Sequence, residues 1–346
     1  MTNTQTSPIK SLTLHIGFPK TGTTALQDYL SFNYEALLEQ GAIYPKAGRY
    51  YLVDGEYAGG PLVFHHPLAN SFSKNQQASI LSDIHNEATS AGASEIILSS
   101  ELFFCIDPGR VISSIRQIFG PSLSLNVVAY IREPVYWLMT LYCQQVKGEL
   151  LFSDFTPYFI DSENLLLNTL SCWINTYPQI KLRYFSKGCL IDSDIIVDFF
   201  ALHKIDIDIK NLSNPVIDRP PSRENLSIGG NLLEAKRVCN TLISCGSAQP
   251  KNYHMIFQKL SKLDRFSYRL PFIDPSLKSF LIGRTKPTLD YLYSLSSPIG
   301  NLPSRGSLIS AIESLPTQTF SSQKFIEDVS YLMEEPQFEA LRPFFL

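Results

Sequence analysis

The stretch over residues 9–40 constrains this chain more than any other. Apolar residues recur at Ile9, Leu12, Leu14 and Ile16, which reads as a strand over 9–18. The turn Gly17-Phe-Pro-Lys-Thr-Gly22 follows it. Residues 23–40 then place Leu26, Tyr29, Leu30, Asn33, Leu37 and Leu38 at helical spacing, and Gly41 marks the stop. In a strand, glycine-bounded turn and helix, backbone N–H groups and the helix dipole converge on one point that favours an anion.

The pattern repeats downstream. Residues 95–100 and 123–131 read as short apolar strands, and 181–185 as another. Between them 75–91, 111–119, 132–147 and 165–177 read as helices, and 194–203 follows as one more, with Pro134 suited to a first-turn position. Strands alternating with helices imply a parallel sheet covered on both faces. The expected fold is an α/β three-layer sandwich with a central parallel sheet and a phosphate-binding loop. The segment 44–66 is rich in Gly and Tyr and has no period, so it reads as a long functional loop. After residue 211 the prolines 215, 220 and 221 mark a connection, and the remainder reads as helices. The division is therefore a core over 9–215 and a mainly helical C-terminal extension over 216–346, within one domain.

Composition excludes several classes. With 29 Lys+Arg against 32 Asp+Glu, the chain has no basic surplus for a polyanion, which leaves nucleic acid out. No apolar run reaches the ~18 residues of a membrane helix. The first ten residues lack the apolar core of a secretory signal. The six cysteines show no Cys-x-x-Cys spacing, and buried thiols in a reducing cytoplasm are expected.

The turn is not the nucleotide-triphosphatase loop, because Thr23 stands where that loop has its lysine. Its lysine comes early, at Lys20, followed by Thr21, Gly22, Thr23 and Thr24. In this the segment Gly17 to Thr24 resembles the 5′-phosphosulfate loop of sulfotransferases that use 3′-phosphoadenosine 5′-phosphosulfate (PAPS). That family has a second motif, an Arg at a strand end with a Ser eight positions on inside a helix, which together hold the donor's 3′-phosphate. Arg132 and Thr140 have that spacing, with Thr in place of Ser. The ending Leu98-Ser-Ser-Glu101, the pair His65-His66 and the unit around Arg183 and Asp198-Phe199-Phe200 are similar to bacterial members of the family.

The resemblance implies a cytoplasmic enzyme that moves a sulfuryl group from PAPS to a hydroxyl or amine of a saccharide or small metabolite. It implies Lys20 at the bridging and sulfate oxygens, Thr21, Gly22, Thr23 and Thr24 around the 5′-phosphate, and no metal. An acceptor proton needs a base. Glu101, at a strand end, and His66 are equal candidates with His65 behind them, and His65 and Tyr57 are candidate acceptor contacts. His15 points into the fold and reads as a core histidine. Arg183, Lys187 and Arg223 read as solvated surface charges. The alternatives are a phosphate-loop kinase or hydrolase, and a nucleotide-binding protein without chemistry.

Overall fold

The computed structural model describes residues 9–49, 51–53, 56–58, 62–70, 74–148, 151–203, 227–246, 253–295, 299–334, 339, 342 and 345. Six strands form one sheet in the order β2-β5-β1-β6-β7-β8, and every pairing in it is parallel. They are β1 (Ser11–His15), β2 (Ala42–Ile43), β5 (Glu95–Ser99), β6 (Ser124–Ile131), β7 (Lys181–Tyr184) and β8 (Ile299–Gly300). An antiparallel hairpin, β3 (Tyr51–Val53) with β4 (Glu56–Ala58), stands apart from it.

Parallel strands need helical crossovers, and the chain supplies them. After β1 come α1 (Thr23–Phe32) and α2 (Tyr34–Glu39); before β5, α3 (His66–Ala69) and α4 (Lys74–Ser90); before β6, α5 (Pro108–Phe119). The helices α6 (Pro134–Gly148), α7 (Phe155–Ser162) and α8 (Leu165–Thr176) separate β6 from β7, and α9 (Ile195–His203) follows β7. Leu26, Tyr29 and Leu30 of α1 and Phe199 and Phe200 of α9 pack around Ile97, Val128 and Tyr130 on one sheet face. The alternate residues Ile96, Leu98, Val127 and Ala129 are buried as well, so both faces are covered. A strand buried on both faces reads as a continuous apolar run, which is why 124–131 was legible.

Three expectations change. The helix over 23–40 is two helices, because Asn33 breaks it by donating its side-chain amide to Tyr29 O at 2.9 Å, a local bond that competes with the ladder. The loop over 44–66 contains the β3–β4 hairpin. The helical remainder contributes β8, a two-residue strand that pairs Ile299 with Leu182 and carries no sequence period.

The chain divides into two compact units. The first is 1–132, 167–220 and 292–303, and contains the sheet. The second is 133–166, 221–291 and 304–346. One boundary lies close to the expected 215, but the second unit also takes in 133–166. That unit is built from helices, among them α6, α7, α10 (Gly230–Ser244), α11 (Tyr253–Leu260), α12 (Pro275–Ser294, its last residues counted in the first unit), α13 (Arg305–Glu313) and α14 (Ser322–Glu334). Within it Asn240 donates to Val146 O at 3.0 Å and Leu151 O at 2.6 Å, tying α10 to the segment after α6. Among the described residues no helix is long and apolar enough to cross a membrane.

Of the six thiols, all free, Cys143 and Cys239 are buried. Cys105, Cys172 and Cys245 are exposed and Cys189 is half-buried, so the expectation of buried thiols holds for two of them.

Candidate functional site

Three neighbouring strands of the first unit, β5, β1 and β6, send their C-terminal ends to the same edge. In a sheet of this type that edge, where the strand order reverses, is where ligands bind. Loop 16–22 leaves β1, Ser100 and Glu101 leave β5, and Arg132 leaves β6. Lys20, Glu101 and Arg132 are 31 or more residues apart in sequence, and the register His15↔Ser99 and His15↔Val128 assembles them.

The loop holds an uncommon backbone. Lys20 has φ 66° and Gly22 φ 78°, both left-handed. For a lysine this costs roughly 1–2 kcal/mol. Two braces offset it: Thr21 Oγ1 donates to Phe18 O at 2.6 Å, and Arg132 Nη1 donates to Lys20 O at 3.2 Å, with the guanidinium 5.8 Å from the Phe185 ring. Gly22 is required twice over, since a β carbon there would lie 2.7 Å from the Phe185 ring. A β carbon on Gly17 would lie 2.7 Å from Thr23. The loop's tightness is thus built into its two glycines.

The hydroxyls of the loop divide by exposure. Thr21 and Thr23 are buried, and Thr21's side chain closes the turn, so it is a brace and its hydroxyl is not presented to a phosphate. Thr24 is exposed at the start of α1, where Gly22 is the N-cap and no side chain caps the helix.

Glu101 opens the short 3₁₀ turn Glu101–Cys105, which Ser100 caps by accepting Leu102 N–H at 3.1 Å. Burial pushes the Glu101 carboxyl up, and the Lys20 ammonium pulls it back down. The two charges therefore share one field. His66 lies beside them: its Nε2 is 3.4 Å from Glu101 Oε2 and its Nδ1 is 2.8 Å from Ser100 Oγ. The Phe64 ring stacks on it at 3.8 Å between centroids. Burial lowers the His66 pKa to about 4.

His65 has no exposed surface with which to touch an acceptor. Its backbone N–H donates to Ser99 O at 2.8 Å, its Nδ1 accepts Ser99 N–H at 3.2 Å, and its Nε2 lies 3.1 Å from Pro45 O. Burial lowers its pKa to about 3. His65 is a pin that fastens the 62–66 segment to the end of β5, and the pin sets His66 beside Ser100. Arg49, also buried, supports the same segment through Pro45 O at 2.9 Å and Leu62 O at 3.1 Å. Tyr57 lies on β4; its side chain falls outside the described residues.

His15 is the core histidine expected. It is fully buried, Nδ1 is 2.8 Å from Ser99 Oγ, Nε2 has no partner, and its pKa falls to about 3. Arg183 is a correction. It is no solvated charge: it pairs with the fully buried Asp198, Nε to Oδ2 at 3.1 Å, and Asp198 also accepts Tyr130 O–H at 2.8 Å and Ile191 N–H at 3.0 Å. Lys187 is exposed, and Arg223 lies outside the described residues.

Thr140 belongs to the second unit. It is buried on α6, and its hydroxyl donates within the helix to Tyr136 O at 3.0 Å and Trp137 O at 2.9 Å. Two residues escaped the sequence reading. Glu133 caps α6 through Val135 N–H at 2.7 Å and Tyr136 N–H at 2.6 Å, for which the acid one residue before Pro134 was the available signal. In the sequence Ser100 reads only as part of a strand ending, and nothing local marks it as the partner of a histidine 34 positions away. Among the described residues no cluster of His, Cys, Asp and Glu could hold a metal ion.

The sequence matches no protein-family model, no curated protein and no solved structure.

Proposed function

We propose that this chain transfers the sulfuryl group of PAPS to a hydroxyl of a saccharide or small metabolite. The observation that carries the reading is the meeting, at one edge of the parallel sheet, of a cation, Lys20 on a tight strand-to-helix loop braced by Arg132, and a carboxyl, Glu101 at the end of β5. Transfer to a hydroxyl needs both. When bound, PAPS supplies the sulfuryl group, whose bond to the 5′-phosphate oxygen breaks as the bond to the acceptor oxygen forms. Lys20 meets the charge that grows on the departing phosphate, an electrostatic role that acts mainly in the transition state. The N–H groups at the start of α1 and the exposed Thr24 hydroxyl hold the 5′-phosphate. Arg132 holds the 3′-phosphate and, through Lys20 O, steadies the loop. Glu101 takes the acceptor's proton.

Thermal shift tests the reading. PAPS's desulfated product, 3′-phosphoadenosine 5′-phosphate (PAP), should raise Tm by ligand linkage. Adenosine 5′-phosphosulfate, lacking the 3′-phosphate, should raise it much less, and ATP with Mg²⁺ should leave it unchanged. Stabilisation by ATP with Mg²⁺ alone would turn the reading to a kinase or hydrolase. Equal shifts from PAP and the phosphosulfate would remove the phosphate role of Arg132.

A further inference from the structure

Ser100, His66 and Glu101 form a row of polar contacts whose proton positions are set by their surroundings. Ser100 is fully buried; its Oγ accepts Leu102 N–H at 3.1 Å and lies 2.8 Å from His66 Nδ1. His66 Nε2 faces Glu101 Oε2 at 3.4 Å, and the Phe64 ring fixes the imidazole plane. A neutral imidazole has one N–H. If Nδ1 carried it, the Nε2 lone pair would face a carboxylate in a largely dry setting, where such repulsion is strong. If Nε2 carries it, the positive N–H end of the ring lies beside Oε2 at 3.4 Å, an electrostatic contact longer than a hydrogen bond, and Nδ1 accepts the Ser100 hydroxyl proton. The Ser100 oxygen keeps a lone pair for Leu102 N–H. Nδ1, the Ser100 hydroxyl and Leu102 N–H then each have a hydrogen-bond complement, and the Nε2–H end faces the opposite charge of the carboxylate.

We propose that Ser100 and His66 are positioning residues for the Glu101 base: the Ser100 hydroxyl fixes His66 as the Nε2–H tautomer, and His66 holds Oε2 so that Oε1 receives the acceptor's proton. The role of Glu101 rests on the sulfotransferase reading; the tautomer is a property of the free protein. Two consequences follow. His66 has no lone pair left for an acceptor, so of the two candidate bases Glu101 is the one. Ser100 is no nucleophile of a Ser-His-acid triad, because its hydroxyl has no exposed surface and a substrate carbonyl could not reach it. Burial, which keeps His66 neutral down to about pH 4, holds the row in this state at neutral pH.

The test is long-range ¹H–¹⁵N correlation of the histidine rings in the ¹⁵N-labelled full chain at pH 7.5, with His66 assigned by its loss in His66→Gln. The expected ring is protonated at Nε2 and bare at Nδ1, with the Nδ1 resonance displaced by the hydrogen bond it accepts. Ser100→Ala should move Nδ1 toward the position of an unbonded lone pair, and Ser100→Thr should restore it. Should Ser100→Ala fail to fold, Ser100→Cys, a much weaker donor, makes the same comparison. In acceptor-free PAPS hydrolysis Ser100→Ala should lower kcat about 10-fold with KM for PAPS unchanged, the scale at which removing an outer partner of a functional group acts, and Ser100→Thr should recover it. A wild-type ring protonated at Nδ1 or at both nitrogens overturns the proposal, as does an Nδ1 resonance unmoved by Ser100→Ala. If the wild type neither binds PAP nor turns over PAPS, the sulfotransferase reading and the base role fail together, while the ring spectrum still decides the tautomer.

Discussion

The first unit buries histidines and the second buries a lysine, and the two choices answer to pH in different windows. His15 and His65 are fully buried beside β1 and β5 and are held neutral, each with its pKa lowered to about 3. In the second unit Lys236 of α10 is fully buried, donates to Asn240 Oδ1 at 2.7 Å, and has its pKa lowered by burial to about 7. All three are bases whose folded form binds a proton less readily than the unfolded chain does. Each therefore favours the fold most above its unfolded pKa and loses that support as pH falls toward the folded one. For the histidines the loss begins near pH 6.5 and runs toward 3. For Lys236 it runs from about 10.5 down to 7 and is complete near neutrality. The lesson is that one physical cause, desolvation of a cation, makes one unit acid-labile and leaves the other already weakened at pH 7.

The chain's two tryptophans can separate the units, since Trp173 lies in the first and Trp137 in the second. The largest expected effect is in the first. In Trp137→Phe, the urea transition of Trp173 should lose about 5 kcal/mol between pH 6.5 and 5, as the slope for each of His15, His65 and His66 steepens from half to the full value of about 1.4 kcal/mol per pH unit. Glu101, whose pKa is raised, works in the opposite direction and trims the loss. A flat profile would mean that these histidines are not held neutral.

Next in size is the contrast between the two lysines. Lys20→Ala should cut PAPS turnover by on the order of 10²–10³, as when one preorganised donor is removed, with a smaller loss of PAPS binding. Turnover at the wild-type rate would make the loop a structural turn. Lys236→Met should act on stability alone. In Trp173→Phe, the Trp137 transition should strengthen by about 2 kcal/mol from pH 7 to 9, and Lys236→Met should abolish that slope. A slope that survives the substitution would place the titrating group elsewhere.

The smallest effects concern Arg132 of the first unit. Arg132→Ala should weaken PAP by on the order of 10- to 100-fold, measured by calorimetry, since a charge-assisted bond contributes roughly 1.5–3 kcal/mol. Arg132→Lys should recover only part, because a lysine lacks the planar fork that reaches Lys20 O and stacks on Phe185.

Sequence by itself determined the βα alternation, the parallel sheet and the position of the glycine-bounded loop. These follow from local periods: apolar runs for strands buried on both faces, helical spacing for the crossovers, and two glycines where no β carbon fits. It also placed His15 in the core, because a strand residue flanked by Leu14 and Ile16 has nowhere else to go. Tertiary structure alone decided which polar groups meet. Arg183 looked solvated because its partner Asp198 lies on another element, and burial of that pair is a property of β7 and α9 together. His65 and His66 are adjacent in sequence, yet one is a pin and the other faces Glu101, because His65 Nδ1 accepts the β5 backbone N–H and so spends itself on the fold. The partnership of Ser100 with His66, and the field that joins Lys20 to Glu101, arise only when β1 lies between β5 and β6. Spacing along a chain records what a helix or a strand does with its own neighbours; the register between strands far apart in sequence leaves no local mark.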